Sequence, residues 1–272
     1  MRDEMVAAWS RAAAAEILWA TPSAAGGMPV VPLTWPADRT PCAALPLSRL
    51  DEVDALPPRA AFVAREPSRT LVAIGDVEVR WDAEGEEFVE HLLPQEAAKH
   101  PPTRLRADTL ISRRENWWWV PRALVTLTAV RQVRVLPART HAEDALLVRP
   151  AGEDDPHVGV VTAKRWPDPG QGSEIELWPR DGAALDGRGE PAHVLGHRHS
   201  PDFERWERWY RSGAVHGEVL HVLAGDSGPR PGDEEPGTAE PLTLLNRYAH
   251  HRRVAKDCKA GIATLESRLA NR

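Results

Sequence analysis

The run Glu115-Asn116-Trp117-Trp118-Trp119-Val120-Pro121-Arg122 sets three consecutive indoles beside a fixed-φ proline, just ahead of the β-branched stretch Leu124 to Val130. Successive side chains leave a strand or helix in different directions, so three adjacent indoles must meet two surfaces at once, as a lid or an interface does. Arg104, Arg106, Arg113, Arg114 and Arg122 surround the run. Guanidiniums beside indole faces make an anion pocket with an aromatic floor, suited to a flavin, haem propionates or a nucleotide. Two plainer readings compete: a Trp-rich strand end that closes a barrel, and arginines paired with local acids such as Asp108 and Glu115.

A second set of side chains has metal-ligand chemistry. His193, His197 and His199 share one face if Ala192 to His199 is a strand, and Asp202 lies just beyond. The spacing departs from HxHxD and lacks HExxH. Hydrogen-bonded or solvated histidines are therefore expected and no metal is assigned, with a metal or haem-iron cluster as the alternative. His216 and Glu218 share a face on the last predicted strand and read equally as members of that cluster or as a cross-strand pair on a wet surface. The basic set Arg247, His250, His251, Arg252, Arg253, Lys256 and Lys259 reads as the solvated face of a helix rather than a nucleic-acid footprint. No elbow serine, GxxxxGK[ST] or strand-placed GxGxxG is present, which demotes hydrolase, NTPase and dinucleotide-fold readings.

Composition bounds the protein that must position these groups. At 272 residues the chain can bury a large core without metal or disulfide staples. It has 11 Trp against 3 Phe and 2 Tyr, so core volume must come from Trp with Ala, Leu and Val. A net charge of -6 argues against a nucleic-acid surface over the whole chain. Cys42 and Cys258 show no CxxC spacing and read as small buried apolar residues. No uninterrupted apolar run has signal-peptide or membrane-span length, so a cytoplasmic protein is the expectation. Proline, at 25 residues, is about twice its usual ~5% share, so many turns and strand ends are expected.

The hydrophobic pattern predicts a helix over 3–15 and a hairpin of strands Glu16 to Thr21 and Met28 to Trp35, turning through Ser23-Ala24-Ala25-Gly26-Gly27 with edge prolines Pro29 and Pro32. Strand Pro41 to Leu47 follows, then an N-cap at Ser48 and a short helix ended by Pro57-Pro58. Strands Ala60 to Ala64 and Leu71 to Trp81 come next, the second bent at Gly75, and then a helix at Glu86 to Leu93 and strand Leu124 to Leu136. In the second half, Val158 to Ala163, Ile175 to Trp178, Ala192 to His199 and Val215 to Leu223 read as strands. A helix capped by Ser200-Pro201 and closed by Gly213 is predicted between the last two, with Phe203, Trp206, Trp209 and Tyr210 as its packing face. Residues 226–241 read as an acidic Pro/Gly linker. From Leu242 a long helix carries a Tyr248, Ala255, Ile262, Leu269 row beside Leu244, Cys258 and Leu265, and that seam needs a partner surface.

The fold class expected is mainly β with helices (α+β): a split β-barrel of antiparallel strands, with two tandem barrel units considered, plus a C-terminal helix. The boundaries drawn are 1–149, 150–225, 226–241 and 242–272. Residues 16–136 resemble the FMN-binding split barrels related to pyridoxamine 5′-phosphate oxidase. The likeness rests on the hairpin around Gly26-Gly27-Met28-Pro29, the strand Cys42 to Leu47 followed by Ser48 and a short helix, Ala60 to Ala64, the long strand from Leu71 and the helix at Glu86. It implies an FMN-dependent redox role, with haem or a deazaflavin as alternative cofactors. Ser48 and Arg49 match the place of the phosphate-binding groups, while Asp51, Glu52, Val53 and Asp54 stand where a further lysine is sought. The cofactor-binding set expected is Ser48, Arg49, Arg114, Trp117, Trp118, Trp119 and Arg122. The expected partners are a small-molecule cofactor and substrate. Such barrels work as dimers, so either a homodimer or a second barrel within the chain is expected to complete the site. A non-enzymatic interaction protein with a degenerate barrel is the reading from a different class.

Overall fold

A computed structural model describes residues 1–110, 118–152, 155–167, 173–226 and 239–271, the side chains of 108–110 excepted. Helix α1 (Arg2–Arg11) leads into β1 (Ala15–Ala20), β2 (Ala25–Val30), β3 (Leu33–Thr34) and β4 (Pro41–Pro46). A 3-10 turn, Leu47–Arg49, and α2 (Leu50–Asp54) precede β5 (Arg59–Arg65) and β6 (Arg69–Asp82). A wide turn at Phe88–Leu92, α3 (Leu93–Lys99) and α4 (Pro101–Leu110) then return the chain to β7 (Arg122–Pro137). All pairings are antiparallel, in the order β2-β1-β5-β6-β7-β4-β3.

The two edges of this sheet, β2 and β3, are one stretch of chain broken at Val31-Pro32. The sheet therefore curls into a nearly closed barrel, which removes its exposed edges. Proline has no N–H to give a ladder, and α3 supplies what the break lacks. Lys99 Nζ donates to Pro32 O at 2.6 Å, while Gln95 accepts from Thr34 N and donates to Thr34 O. Trp9 of α1 fills the interior, its ring 4.9 Å from Phe62 and its Nε1 donating to Leu33 O.

The second sheet holds β8 (Ala145–Ala151), β9 (Asp155–Thr162), β10 (Glu174–Glu176), β11 (Trp178–Pro179), β12 (Gly187–His199), β13 (Trp206–Gly217) and β14 (Val219–Asp226), in the order β10-β14-β13-β12-β8-β9-β11. Its edges are again one segment, β10 and β11, broken at Leu177. When each split strand is counted once, both sheets read 1-2-3-6-5-4 around the ring. The repeat extends to detail: in each barrel strand 6 bulges by one residue opposite a glycine of strand 5, Arg131 of β7 opposite Ile74-Gly75 and Leu223 of β14 opposite Ser212-Gly213. Two tandem barrels of one topology are thus present, and their outer faces pack through Leu18, Val63, Val72, Leu146, Val148 and Leu195. The boundary between the two sheets falls in 138–144, because Ala145–Ala151 is a central strand of the second barrel.

Three local expectations change. The turn expected over Ser23 to Gly27 is tighter and earlier, closing at Thr21–Ala24, and Ala25-Gly26-Gly27 already belong to β2. Ser48 caps no helix. The helix expected over Ser200 to Gly213 is a tight turn followed by β13. Ser200 does gather backbone groups, but its N–H bonds to Arg205 O and Arg205 N–H bonds to its Oγ, with Phe203 at φ 57°. That geometry closes a β12–β13 hairpin, and the aromatic residues alternate across a strand. His216 and Glu218 accordingly sit at a strand end and in a turn, not on one strand face.

Helix α5 (Leu244–Ala270) crosses both barrels. Arg247 pairs with Asp202 at 2.6 Å and Arg268 grips Asp54 at 2.9 and 2.8 Å. Of the expected seam, Cys258 and Leu265 are buried against the chain's own body, whereas Leu244, Tyr248 and Leu269 are exposed. A Cβ placed on Gly261 would lie 2.1 Å from Leu47 O, so the helix touches the turn backbone. Gly261→Val should therefore lower stability by about 1–3 kcal/mol through overpacking and raise hydrogen exchange along α5. Unchanged exchange would show that the helix docks elsewhere. Among the described residues no helix is long and apolar enough to cross a membrane.

Candidate functional site

A cleft of about 360 Å³ opens where the two barrels and α5 meet, within the ~300–1,000 Å³ common for small-molecule sites. Its walls are mainly apolar. The first barrel gives Val30, Leu45, Trp118 and Trp119, the β12–β13 turn gives Phe203 and Trp206, and α5 gives Val254 and Cys258. Into these walls are set four arginines, Arg49, Arg106, Arg122 and Arg208, against three glutamates, Glu52, Glu96 and Glu204.

Each charged group has a defined setting. Arg49 donates from Nη1 to Pro29 O at 2.7 Å and from Nε to Glu52 Oε2 at 2.9 Å. The other oxygen of Glu52 accepts from Arg208 Nη1 at 2.7 Å, so this carboxylate ties the first barrel to the second. Burial pushes the Glu52 carboxyl up, but Arg49 and Arg208 outweigh it and hold the group below its ordinary value. Arg122 is buried, with its guanidinium 4.1 Å from the Phe88 ring centre and 5.6 Å from that of Trp119. It faces Glu96 at 3.6 Å, an ion pair longer than a tight hydrogen bond. Its Nε has no hydrogen-bond partner among the described residues. Burial pushes this guanidinium below its ordinary value while Glu96 pulls it back, leaving a buried cation that Glu96 and Pro121 O, at 3.3 Å, partly satisfy.

Glu96 also begins a polar chain. Thr103 Oγ1 donates to Glu96 Oε1 at 2.6 Å, and His100 Nδ1 lies 2.9 Å from the same hydroxyl. Phe203 and Trp206 meet the His100 ring obliquely, at 5.7 and 6.4 Å.

Ser48, Arg49, Trp118, Trp119 and Arg122 therefore line one cavity, as the sequence reading grouped them. Arg114 and Trp117, with Arg113 and Glu115, lie outside the described residues. The adjacent indoles do meet two surfaces: Trp119 is buried edge-on to Phe88, while Trp118 meets His251 of α5 at 5.5 Å and the Arg106 guanidinium at 5.9 Å.

The three histidines of β12 have separate partners. His193 bonds Ser212 Oγ at 2.7 Å, His197 Nε2 bonds Glu16 at 2.8 Å, and His199 Nδ1 donates to Ser200 O at 3.0 Å. His197 stacks behind Trp206 and His199 behind Phe203, so both back the aromatic wall of the cleft. Among the described residues no group of three or more His, Cys, Asp or Glu is placed to hold a metal ion.

Sequence reasoning missed Glu52, Glu96, His100, Thr103, Trp206 and Arg208 as site groups. The available signal was Glu96-x-x-x-His100-x-x-Thr103, a spacing that gathers polar groups across helical turns, but it lies in a proline-rich stretch read as a connection.

No protein-family model, curated protein or solved structure matches this chain. The class of protein rests on its geometry: tandem antiparallel barrels with one arginine- and indole-lined cleft at their junction.

Proposed function

We propose that the cleft binds FMN or a related planar anionic cofactor and that the protein is a split-barrel oxidoreductase. The observation that carries this reading is the convergence of Ser48, Arg49, Trp118, Trp119 and Arg122 on one cavity, completed by Trp206 and Arg208 from the second barrel. A flat aromatic system suits the indole walls, and a phosphate suits the guanidiniums. Ser48, which has no helix to cap, and Arg49, which keeps unspent N–H groups beyond its three bonds, are the phosphate contacts, with Arg122 as a deeper counter-charge. Bound there, the flavin supplies the redox chemistry, and the chain's own residues hold it, exclude water and orient substrate. The second barrel takes the place of a partner subunit, so the full chain should bind one FMN as a monomer; gel filtration with flavin quantification checks this, and a ligand bound only by a dimer would contradict it.

Arg49→Ala removes one charge-assisted contact and leaves Glu52 less neutralised. FMN affinity should fall by about 1.5–3 kcal/mol, roughly 10- to 150-fold, as read by quenching of flavin fluorescence. Unchanged affinity would place the phosphate elsewhere.

One observation favours the second reading, a barrel that recruits a partner without a cofactor: Glu52 already ion-pairs with both Arg49 and Arg208, supplying the negative charge an anionic ligand would otherwise bring. Adding FMN, haem and a deazaflavin in turn to the purified protein separates the two, since the interaction reading expects none to bind.

A further inference from the structure

We infer that His100 is the specificity-determining acceptor of the cleft, selecting planar anionic ligands that present an N–H donor on a ring edge. This rests on the flat-anion reading above and narrows it to heteroaromatics of imide type, such as an isoalloxazine with its N3–H.

The directions of the bonds require it. Glu96 presents a carboxylate oxygen 2.6 Å from Thr103 Oγ1, and a threonine hydroxyl has one proton to give. With that proton committed to Glu96, the hydroxyl can only accept from His100 Nδ1 at 2.9 Å. Nδ1 is therefore the protonated nitrogen, and Nε2 carries the lone pair. Nε2 has no hydrogen bond among the described residues and is not among the sealed, partnerless atoms, while its ring lines the cleft. The obliquely packed rings of Phe203 and Trp206 hold the imidazole in place. Thr103 is 1% exposed, so solvent does not compete for the relay.

Neutrality has its own causes. Burial pushes His100 down to about 3, and Arg106 and Arg122 add to this. A neutral, Nδ1-protonated imidazole can receive a hydrogen bond at Nε2 but cannot offer one there. A ligand carbonyl at that point faces a lone pair, whereas an N–H is satisfied. Arg122, Glu96, Thr103 and His100 thus form one line of polar groups, running from the buried cation to the ligand edge.

Two measurements on the full chain test this. Nitrogen-15 spectra of the labelled histidines should show His100 protonated at Nδ1, and Thr103→Val should move it toward the other tautomer. Fluorescence titration with FMN and 3-methyl-FMN should give about 10-fold tighter binding of FMN, the effect of one buried hydrogen bond. The preference should vanish in His100→Phe and return in part in His100→Gln. Equal affinity for the two flavins in the wild-type protein, or a preference that survives His100→Phe, overturns the assignment while leaving flavin binding intact. If neither flavin binds, the flavin reading falls and the tautomer decides: Nδ1–H upholds the acceptor, Nε2–H overturns it.

Discussion

Arg139→Ala should lower the unfolding free energy by about 3–5 kcal/mol, because it leaves a buried carboxylate without its cation. Glu16 of β1 is fully buried between the barrels, 2.6 Å from Arg139 in the connector and 2.8 Å from His197 Nε2 of β12. One of its oxygens has no partner among the described residues. Burial alone would raise the Glu16 carboxyl, yet Arg139 and His197 outweigh it and lower the group to about 2. The trio therefore joins first barrel, connector and second barrel through one charge. Urea unfolding at neutral pH reads the loss, and an Arg139→Met, Glu16→Leu double variant should recover most of it, since replacing both partners by apolar groups is often close to neutral. A loss under ~1 kcal/mol in the single variant, where exposed pairs fall, would show that the carboxylate reaches water.

The second large effect is on acid stability. Burial pushes His193 down to about 4 and His100 to about 3, from an ordinary 6.5. Above 6.5 both are neutral whether the chain is folded or not, so they add no pH dependence. As pH falls below 6.5 the unfolded chain takes up protons that the folded chain refuses, and stability drops by up to ~1.4 kcal/mol per unit for each group until the folded values are reached. By pH 4 His193 alone accounts for roughly 3 kcal/mol, and His100 acts in the same direction. Glu16 adds its own loss lower down: its contribution is whole above about 4.5 and disappears as pH falls through 4.5 toward 2. Against a typical net stability of ~5–15 kcal/mol, urea midpoints should fall steeply between pH 6.5 and 4, and His193→Gln should flatten part of that slope. Midpoints constant from pH 7 to 5 would contradict the neutral, buried state of these histidines.

Much of this architecture was legible because local signals agreed with it. Alternating Val77, Val79 and Trp81 marked the outer half of β6, Gly75 marked its bend, and the seven-residue apolar row marked α5. The Arg and Trp side chains of the cleft stood out because their types are costly to place without a partner or a packing role. The missed parts are those in which one local pattern serves two structures. Ser200-Pro201-Asp202 followed by Phe203, Trp206 and Tyr210 fits a helix start; the positive φ at Phe203 and the β8 and β14 partners flanking the hairpin decide otherwise. The repeated ring order was hidden because it depends on long-range pairing, and because each split strand breaks at a different place in its barrel. Glu52, Glu96 and His100 gain meaning only once Arg208, Arg122 and Thr103 are brought beside them.

The most direct test of the junction cleft is equilibrium dialysis of the purified full chain against FMN, with bound flavin counted per chain. One FMN per chain is expected, its fluorescence quenched by the neighbouring indoles, with occupancy reduced both by Arg49→Ala in the first barrel and by Trp206→Ala in the second. Failure to take up FMN at saturating concentration, or uptake indifferent to both substitutions, would contradict a flavin site built between the barrels.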